Sequence, residues 1–292
     1  LSGENIFTGM VEEHESDQRW AFGTGFTDAL AGVDTTLPEG VDGGALAQYC
    51  QMLGDDALVQ AQRLSQWVTD APELEEEVAL ANIALDLIGQ ARLLLARAGQ
   101  ADGTGRDEDA FAYRRAAAQF RNVRLAAAPR GDFARAIVTL LALSSWRLAL
   151  MSRLSRSRDP VLAAIAAKAV NELAYHREYA VSWALRLGDG TEYSHERMVE
   201  AVARVWPDTG ELFATHPVEA RMAELGVGVD PGSLSTEVHD VLAQVLGAAT
   251  LETPTALPEP VLAGRSGDHG PELAPLVHQM QEVARAHPEA TW

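Results

Sequence analysis

Cysteine is all but missing from this chain: Cys50 is the only one in 292 residues. A disulfide framework and any cysteine-based zinc or iron–sulfur site are thereby excluded. Lysine is as scarce, with Lys168 standing alone against 22 arginines. Positive charge is short overall, since 23 Lys and Arg face 42 Asp and Glu, a net charge of −19. Such a surface repels phosphate backbones, which argues against nucleic acid as a partner. Long apolar runs are absent too. The longest, such as Ala136–Leu143, break off within about a dozen residues, so no membrane span is expected. No basic, apolar leader opens the sequence, which predicts a cytoplasmic protein, and the initial Leu suggests a trimmed or misassigned start. What is present is the composition of a globular protein, 47% hydrophobic and 22% charged, in one large domain or two ordinary ones.

Residues 1–41 differ from the rest. They carry glycines, charges and the acidic knot Glu12-Glu13-His14-Glu15, without sustained periodicity, and read as a disordered or atypical extension. From Asp42 to residue 292 the pattern is helical. Leu46, Cys50, Leu53, Ala57, Ala61, Leu64 and Val68 step by three and four, the stripe of a helix over 43–68 facing a core. A second helix starts at Pro72, with Glu73, Glu75, Glu76 and Glu77 at its positive end, and stops at Gly99. A short helix is expected around Ala110–Phe120, then one capped by Asp132 that reaches Ser155. Asp159-Pro160 opens another that ends at Gly188, and Thr191 caps one ending at Trp206-Pro207. Shorter helices follow at 217–225, 236–248 and 272–287, and no segment alternates with the period of a strand. Four long helices, in two pairs joined by a long crossing connection, predict an all-α bundle of ferritin-like type.

Such a bundle raises the question of a di-iron centre, which takes carboxylates from two helices and a Glu-x-x-His pair from each of the other two. One Glu-x-x-His exists, Glu192–His195, in a helix's first turn, where the dipole already accounts for a carboxylate. The second helix is apolar nearly all round from Val78 to Ala96, except for Asn82, Asp86, Gln90 and Arg92. Asn82, Asp86 and Gln90 recur every four residues as a polar stripe that needs buried partners. The helix from Pro160 supplies candidates in Lys168, Glu172, Tyr175, His176 and Tyr179. Lys168 is expected to face inwards or an interface, paired with Glu172 or Asp86. Asp86, Glu172 and His176 suit a single metal or, as the reading preferred here, a hydrogen-bonded interior without one. Cys50 sits on an apolar stripe and reads as a small core residue. No phosphate loop and no Gly-x-Ser-x-Gly elbow occurs.

Several stretches together carry a resemblance. They include Leu53-Gly-Asp-Asp-Ala-Leu58, Gln62-Arg-Leu-Ser-Gln-Trp67, and residues 79–95, which contain Asp86-Leu-Ile-Gly-Gln-Ala-Arg92. Ala163-Ala-Ile-Ala-Ala-Lys168, Tyr175-His176, Arg186-Leu-Gly-Asp-Gly-Thr191, Trp206-Pro-Asp-Thr-Gly-Glu-Leu-Phe213 and the ending Ala290-Thr-Trp292 belong with them. From about residue 43 onwards the chain resembles the C-subunit family of the ring-1,2-phenylacetyl-CoA epoxidase (PaaC). The resemblance implies a ferritin-like relative of the catalytic A subunit (PaaA type) that pairs with it and with other subunits of a monooxygenase complex. It implies no cofactor in this chain and a di-iron centre in the partner. Against the catalytic subunit's Glu-x-Gly-His, this chain has Leu87-Ile88-Gly89-Gln90. Glu172 with Tyr175 takes the place of the other Glu-x-x-His, with His176 one residue away. Leu87, Gln90, Glu172 and Tyr175 are therefore vestigial di-iron positions, without catalytic or cofactor-binding residues. Three functions compete: a non-catalytic oxygenase subunit, an independent metal-binding oxidoreductase using Asp86, Glu172 and His176, and a scaffold bundle. A homodimer of the isolated chain is open.

Overall fold

The computed structural model describes Leu30 and residues 32–290, so the acidic knot at 12–15 and the final Thr291-Trp292 lie outside the described residues. In chain order the α-helices are α1 (Gly43–Ser65), α2 (Leu74–Ala101), α3 (Glu108–Tyr113), α4 (Phe133–Leu154) and α5 (Pro160–Gly188). They continue as α6 (Glu192–Val205), α7 (Pro217–Glu224), α8 (Ser235–Ala248) and α9 (Leu273–Ala286). Short 3-10 turns lie between them, and no strand occurs among the described residues. The all-α, ferritin-like architecture is the one the periodicity predicts.

Local chemistry fixes the helix ends. Asp42, Asp132 and Asp159 each accept a hydrogen bond from a backbone N–H of the first turn, of Ala45, Arg135 and Leu162 respectively. Pro160 follows at the first helical position, where its missing N–H costs nothing. Two expectations need correction. α2 begins at Leu74 and runs past Gly99 to Ala101. Gly99 does not end the helix; it admits the following loop, because a Cβ there would sit 1.8 Å from the Arg106 carbonyl oxygen. The single helix expected at 110–120 is instead α3 and a 3-10 turn at Ala117–Gln119. Arg115 between them turns inwards, donating to the Phe111 carbonyl at 2.5 Å and to Asp55.

α1 lies along α2 and α4 along α5, and the two pairs meet chiefly between α2 and α5. Gly54 of α1 brings the first pair close, since a Cβ there would approach Leu95 Cγ to 2.9 Å. α4 is the most enclosed element, with a buried face on nearly every side from Ala134 to Leu154. α2 is not the buried rod expected. Leu74, Val78, Leu85 and Ile88 are exposed along one side of it. By length and composition α2 and α4 are also apolar enough to cross a membrane, which corrects the reading of the short apolar runs; most of that window in α4 is packed inside the bundle. Ahead of α1, the carbonyl of Thr35 accepts from Arg97 of α2 at 2.7 Å. Arg97 also pairs with buried Asp159, which ties α2 to the start of α5.

Candidate functional site

The middle of the bundle is polar, and its centre is an arginine. Arg147 of α4 is 1% exposed. Its Nη1 donates to the Leu53 carbonyl of α1 at 3.2 Å, and its Nε to Gln90 Oε1 of α2 at 2.9 Å. Gln90 Nε2 then donates to Glu172 Oε2 of α5 at 3.0 Å. Lys168 Nζ, one turn earlier on α5, lies 3.5 Å from Glu172 Oε1. One chain of contacts thus touches all four long helices. Its polarity is unambiguous: a guanidinium only donates and a carboxylate only accepts, so the Gln90 amide between them has one satisfied orientation. The arrangement is not comfortable for the arginine. Burial pushes its guanidinium down to about 10, although Asp56 pulls the other way, and its Nη2 has no hydrogen-bond partner.

This donor set does not fit two irons. Leu87 is fully buried one turn before Gln90 and offers no oxygen or nitrogen. Glu172 spends its oxygens on Gln90 and Lys168. A guanidinium at the centre repels a cation that it would have to share space with. No group of three or more His, Cys, Asp or Glu among the described residues is placed to hold a metal ion. Asp86, Glu172 and His176 do not converge on one point either. His176 is buried and its Nε2 lies 3.0 Å from Asp86 Oδ2, while Glu172 turns to Gln90. Tyr175 is half exposed, so the inward position of that turn belongs to His176.

Two members of the predicted buried network lie elsewhere. Asn82 is exposed, and Lys168 is 41% exposed, so its pairing with Glu172 holds while its inward placement does not. Asp86 is partly exposed at the same boundary. Beside these groups lies the apolar side of α2, with Leu85 at 63% and Ile88 at 44% exposure. On α5, Tyr175, next in sequence to the His176 that is bonded to Asp86, is also exposed. The bundle centre therefore reaches the surface through Glu172 and its partner Lys168.

The remaining candidates resolve simply. Glu192 is exposed, and His195 Nδ1 meets the Gly188 carbonyl at 2.7 Å, a contact that closes the α5–α6 corner. Cys50 is fully buried, and burial raises its thiol well above the ordinary range, so it is a core residue.

Periodicity did not single out the strongest ion pairs. Asp55 and Asp56 of α1 are buried, against Arg115 and Arg265 respectively. Arg265 Nη1 and Nη2 reach the two Asp56 oxygens at 2.9 and 2.7 Å, and its Nε lies 3.3 Å from Glu219. Burial raises the Glu219 carboxyl and Arg265 opposes that rise. Glu211 accepts from the backbone N–H groups of Arg124 at 2.7 Å and Gly264 at 2.6 Å. The sequence signal was present in two adjacent acids, Asp55-Asp56, in the otherwise apolar middle of the helix, which must be paired if they are buried.

Comparison with known proteins gives this site its context. The family described as "Phenylacetic acid catabolic protein" matches residues 34–292. The chain is 40% identical over 247 residues to the C subunit of the 1,2-phenylacetyl-CoA epoxidase of Escherichia coli (strain K12). That alignment covers 85% of this chain and 99% of the relative. With the helical bundle and its mid-length polar chain in place, the chain belongs to the family of phenylacetic acid catabolic proteins.

Proposed function

We propose that this chain is the non-catalytic subunit of a multicomponent phenylacetyl-CoA 1,2-epoxidase, a monooxygenase of aerobic phenylacetate degradation. It pairs with a ferritin-like catalytic subunit of PaaA type that carries the di-iron, and binds no cofactor itself. One observation carries this assignment: the four long helices converge on Arg147, Gln90 and Glu172, where metal chemistry needs carboxylates and imidazoles. The similarity to the C subunit of an epoxidase supports the assignment. Leu87, Gln90 and Glu172 then stand at positions where a catalytic relative has ligands. Charge that a metal would supply comes instead from a guanidinium, which holds the helices at a fixed spacing. The exposed strip Leu74, Val78, Leu85 and Ile88, extended by Tyr175, is where the catalytic subunit docks. A packed contact there restrains the partner's helices, and with them the relative positions of its ligands. A coenzyme A thioester as substrate supports a cytoplasmic complex.

Reconstitution tests the assignment. Catalytic subunit, reductase and phenylacetyl-CoA should give epoxide only when this chain is added. This chain with reductase alone should give none. Epoxide formed without the catalytic subunit, or full activity without this chain, overturns it.

A further inference from the structure

A second polar centre lies away from the bundle axis, where the loop before α4 meets α6. Gly131, Asp132, Arg135, Arg197, Glu200 and Arg204 line a cleft of about 210 Å³. Three arginines around one cleft repel each other unless anions hold them, and the chain's own anions there number two. Both are spent on Arg197. Its Nε donates to Asp132 Oδ2 at 2.7 Å, and its Nη1 to Glu200 Oε2 at 2.8 Å. The other Asp132 oxygen caps α4, accepting from the Arg135 N–H at 3.0 Å. Burial acts to raise the Asp132 carboxyl, but that N–H and Arg197 outweigh it and hold the group ionised.

Neither carboxylate hydrogen-bonds the side chain of Arg135 or Arg204; outside the lining, burial raises the Asp208 carboxyl and the charge of Arg135 opposes that rise. Arg135 Nε is shut off from solvent and has no hydrogen-bond partner, an orphaned donor of the kind folded proteins avoid. Gly131 is what allows this placement. Its φ is +62°, and a Cβ there would come 2.6 Å from Arg135 Cδ, so only glycine lets the arginine stem cross the loop. The lining is therefore built, and it carries one positive charge in excess of its carboxylates, on a chain whose net charge is −19.

We propose that this cleft binds a phosphoryl dianion, a phosphate monoester or inorganic phosphate, through Arg135 and Arg204, with Arg197 as a fixed third charge. Two guanidinium forks on different helices suit a tetrahedral anion with three outward oxygens; a carboxylate presents two oxygens in one plane and is satisfied by a single fork. The site stands independently of the subunit role proposed above, since it needs only this chain. Its source of phosphate is either free phosphate or the 3′-phosphate of coenzyme A.

Calorimetric titration of the purified full chain with inorganic phosphate, at low ionic strength, tests the proposal. One saturable site per chain is expected. Arg204→Gln, a surface change, should weaken it by about tenfold or more, the loss of roughly one charge-assisted contact, while the thermal midpoint stays put. Arg135→Gln should act alike, and Glu200→Gln, which removes a competing carboxylate, should tighten binding. Coenzyme A binding more tightly than its 3′-dephospho form supports the site with the nucleotide as source. Equal affinity for coenzyme A and inorganic phosphate supports it with free phosphate. No saturable phosphate binding by the native chain, or binding that Arg204→Gln leaves unchanged, overturns it.

Discussion

Arg147 is a charge placed where charge is disfavoured. Burial lowers its pKa to about 10, so the folded state resists its ionised form more than the unfolded state does. The sign follows: at neutral pH this arginine costs stability, and the cost fades only as pH rises through that value. Replacing it together with its amide neighbour, Arg147→Met with Gln90→Leu, should leave thermal stability equal or higher, by up to about 4 kcal/mol. The same double variant should lower the activity of the reconstituted complex, because the helices lose their common anchor. A large drop in the unfolding midpoint would show the polar chain to be net stabilising. Arg265 is the opposite case. Its removal as Arg265→Met strands both Asp56 and Glu219 inside the protein, so urea unfolding should show a loss of about 3–5 kcal/mol. Neither arginine was legible beforehand, because a lone arginine in an apolar run reads as a surface residue. The stripe Asn82, Asp86, Gln90 was legible in part, and geometry explains the part. A step of four residues turns a helix by about 40° beyond a full revolution. Two such steps carry Asn82 to the surface, Asp86 to the boundary and Gln90 into the core.

At the scale of the element, the caps were readable and the faces were not. Asp132, Asp159 and Thr191 open their helices as their side chains dictate. Which side of α2 is covered depends on what lies against it, and hydrophobicity alone made every side look buried. Its apolar strip gives a direct prediction. Leu85→Asp with Ile88→Asp should change the stability of the isolated chain by no more than about 1 kcal/mol, since both side chains are exposed. Co-purification with the catalytic subunit should nevertheless fail. Retained pairing would move the interface elsewhere on the bundle. Asp132 offers a pH test of the α4–α6 contact. Burial raises its carboxyl, yet the backbone N–H of Arg135 and the charge of Arg197 bring it below its ordinary 3.8. A carboxyl depressed by folding stabilises above its unfolded value and loses that contribution as pH falls through the folded one. Asp132→Asn keeps a capping oxygen but not the charge. The native chain should therefore exceed it in stability above about pH 4 and converge with it on acidification. A difference that is constant with pH would point to the cap instead.

At the scale of the molecule, the two helix pairs need more than each other. The long connection after α2 and the segment after α8 close over α1 from outside, and buried ion pairs fasten them. Arg115 reaches Asp55 from the connection, Arg265 reaches Asp56 from the C-terminal segment, and Gln281 of α9 donates to the Ala112 carbonyl at 2.8 Å. Leu273, Leu276 and Val277 of α9 add to the same core. A chain ended after Thr250 would keep all four long helices and the Arg115–Asp55 pair and still lose the fastenings made by Arg265 and α9. Asp56 would be left as a buried charge without its guanidinium, and apolar surface on α1 and α3 would open to water. Such a truncation should show no cooperative thermal transition and faster amide exchange along α1, in place of the single transition expected for the full chain. If it melts cooperatively at the native midpoint, the C-terminal segment is an appendage, and α1 draws its stability from α2 and α4 alone. The proposed role, holding a partner's helices at fixed spacing, requires a rigid subunit, and the clamp over α1 contributes to that rigidity.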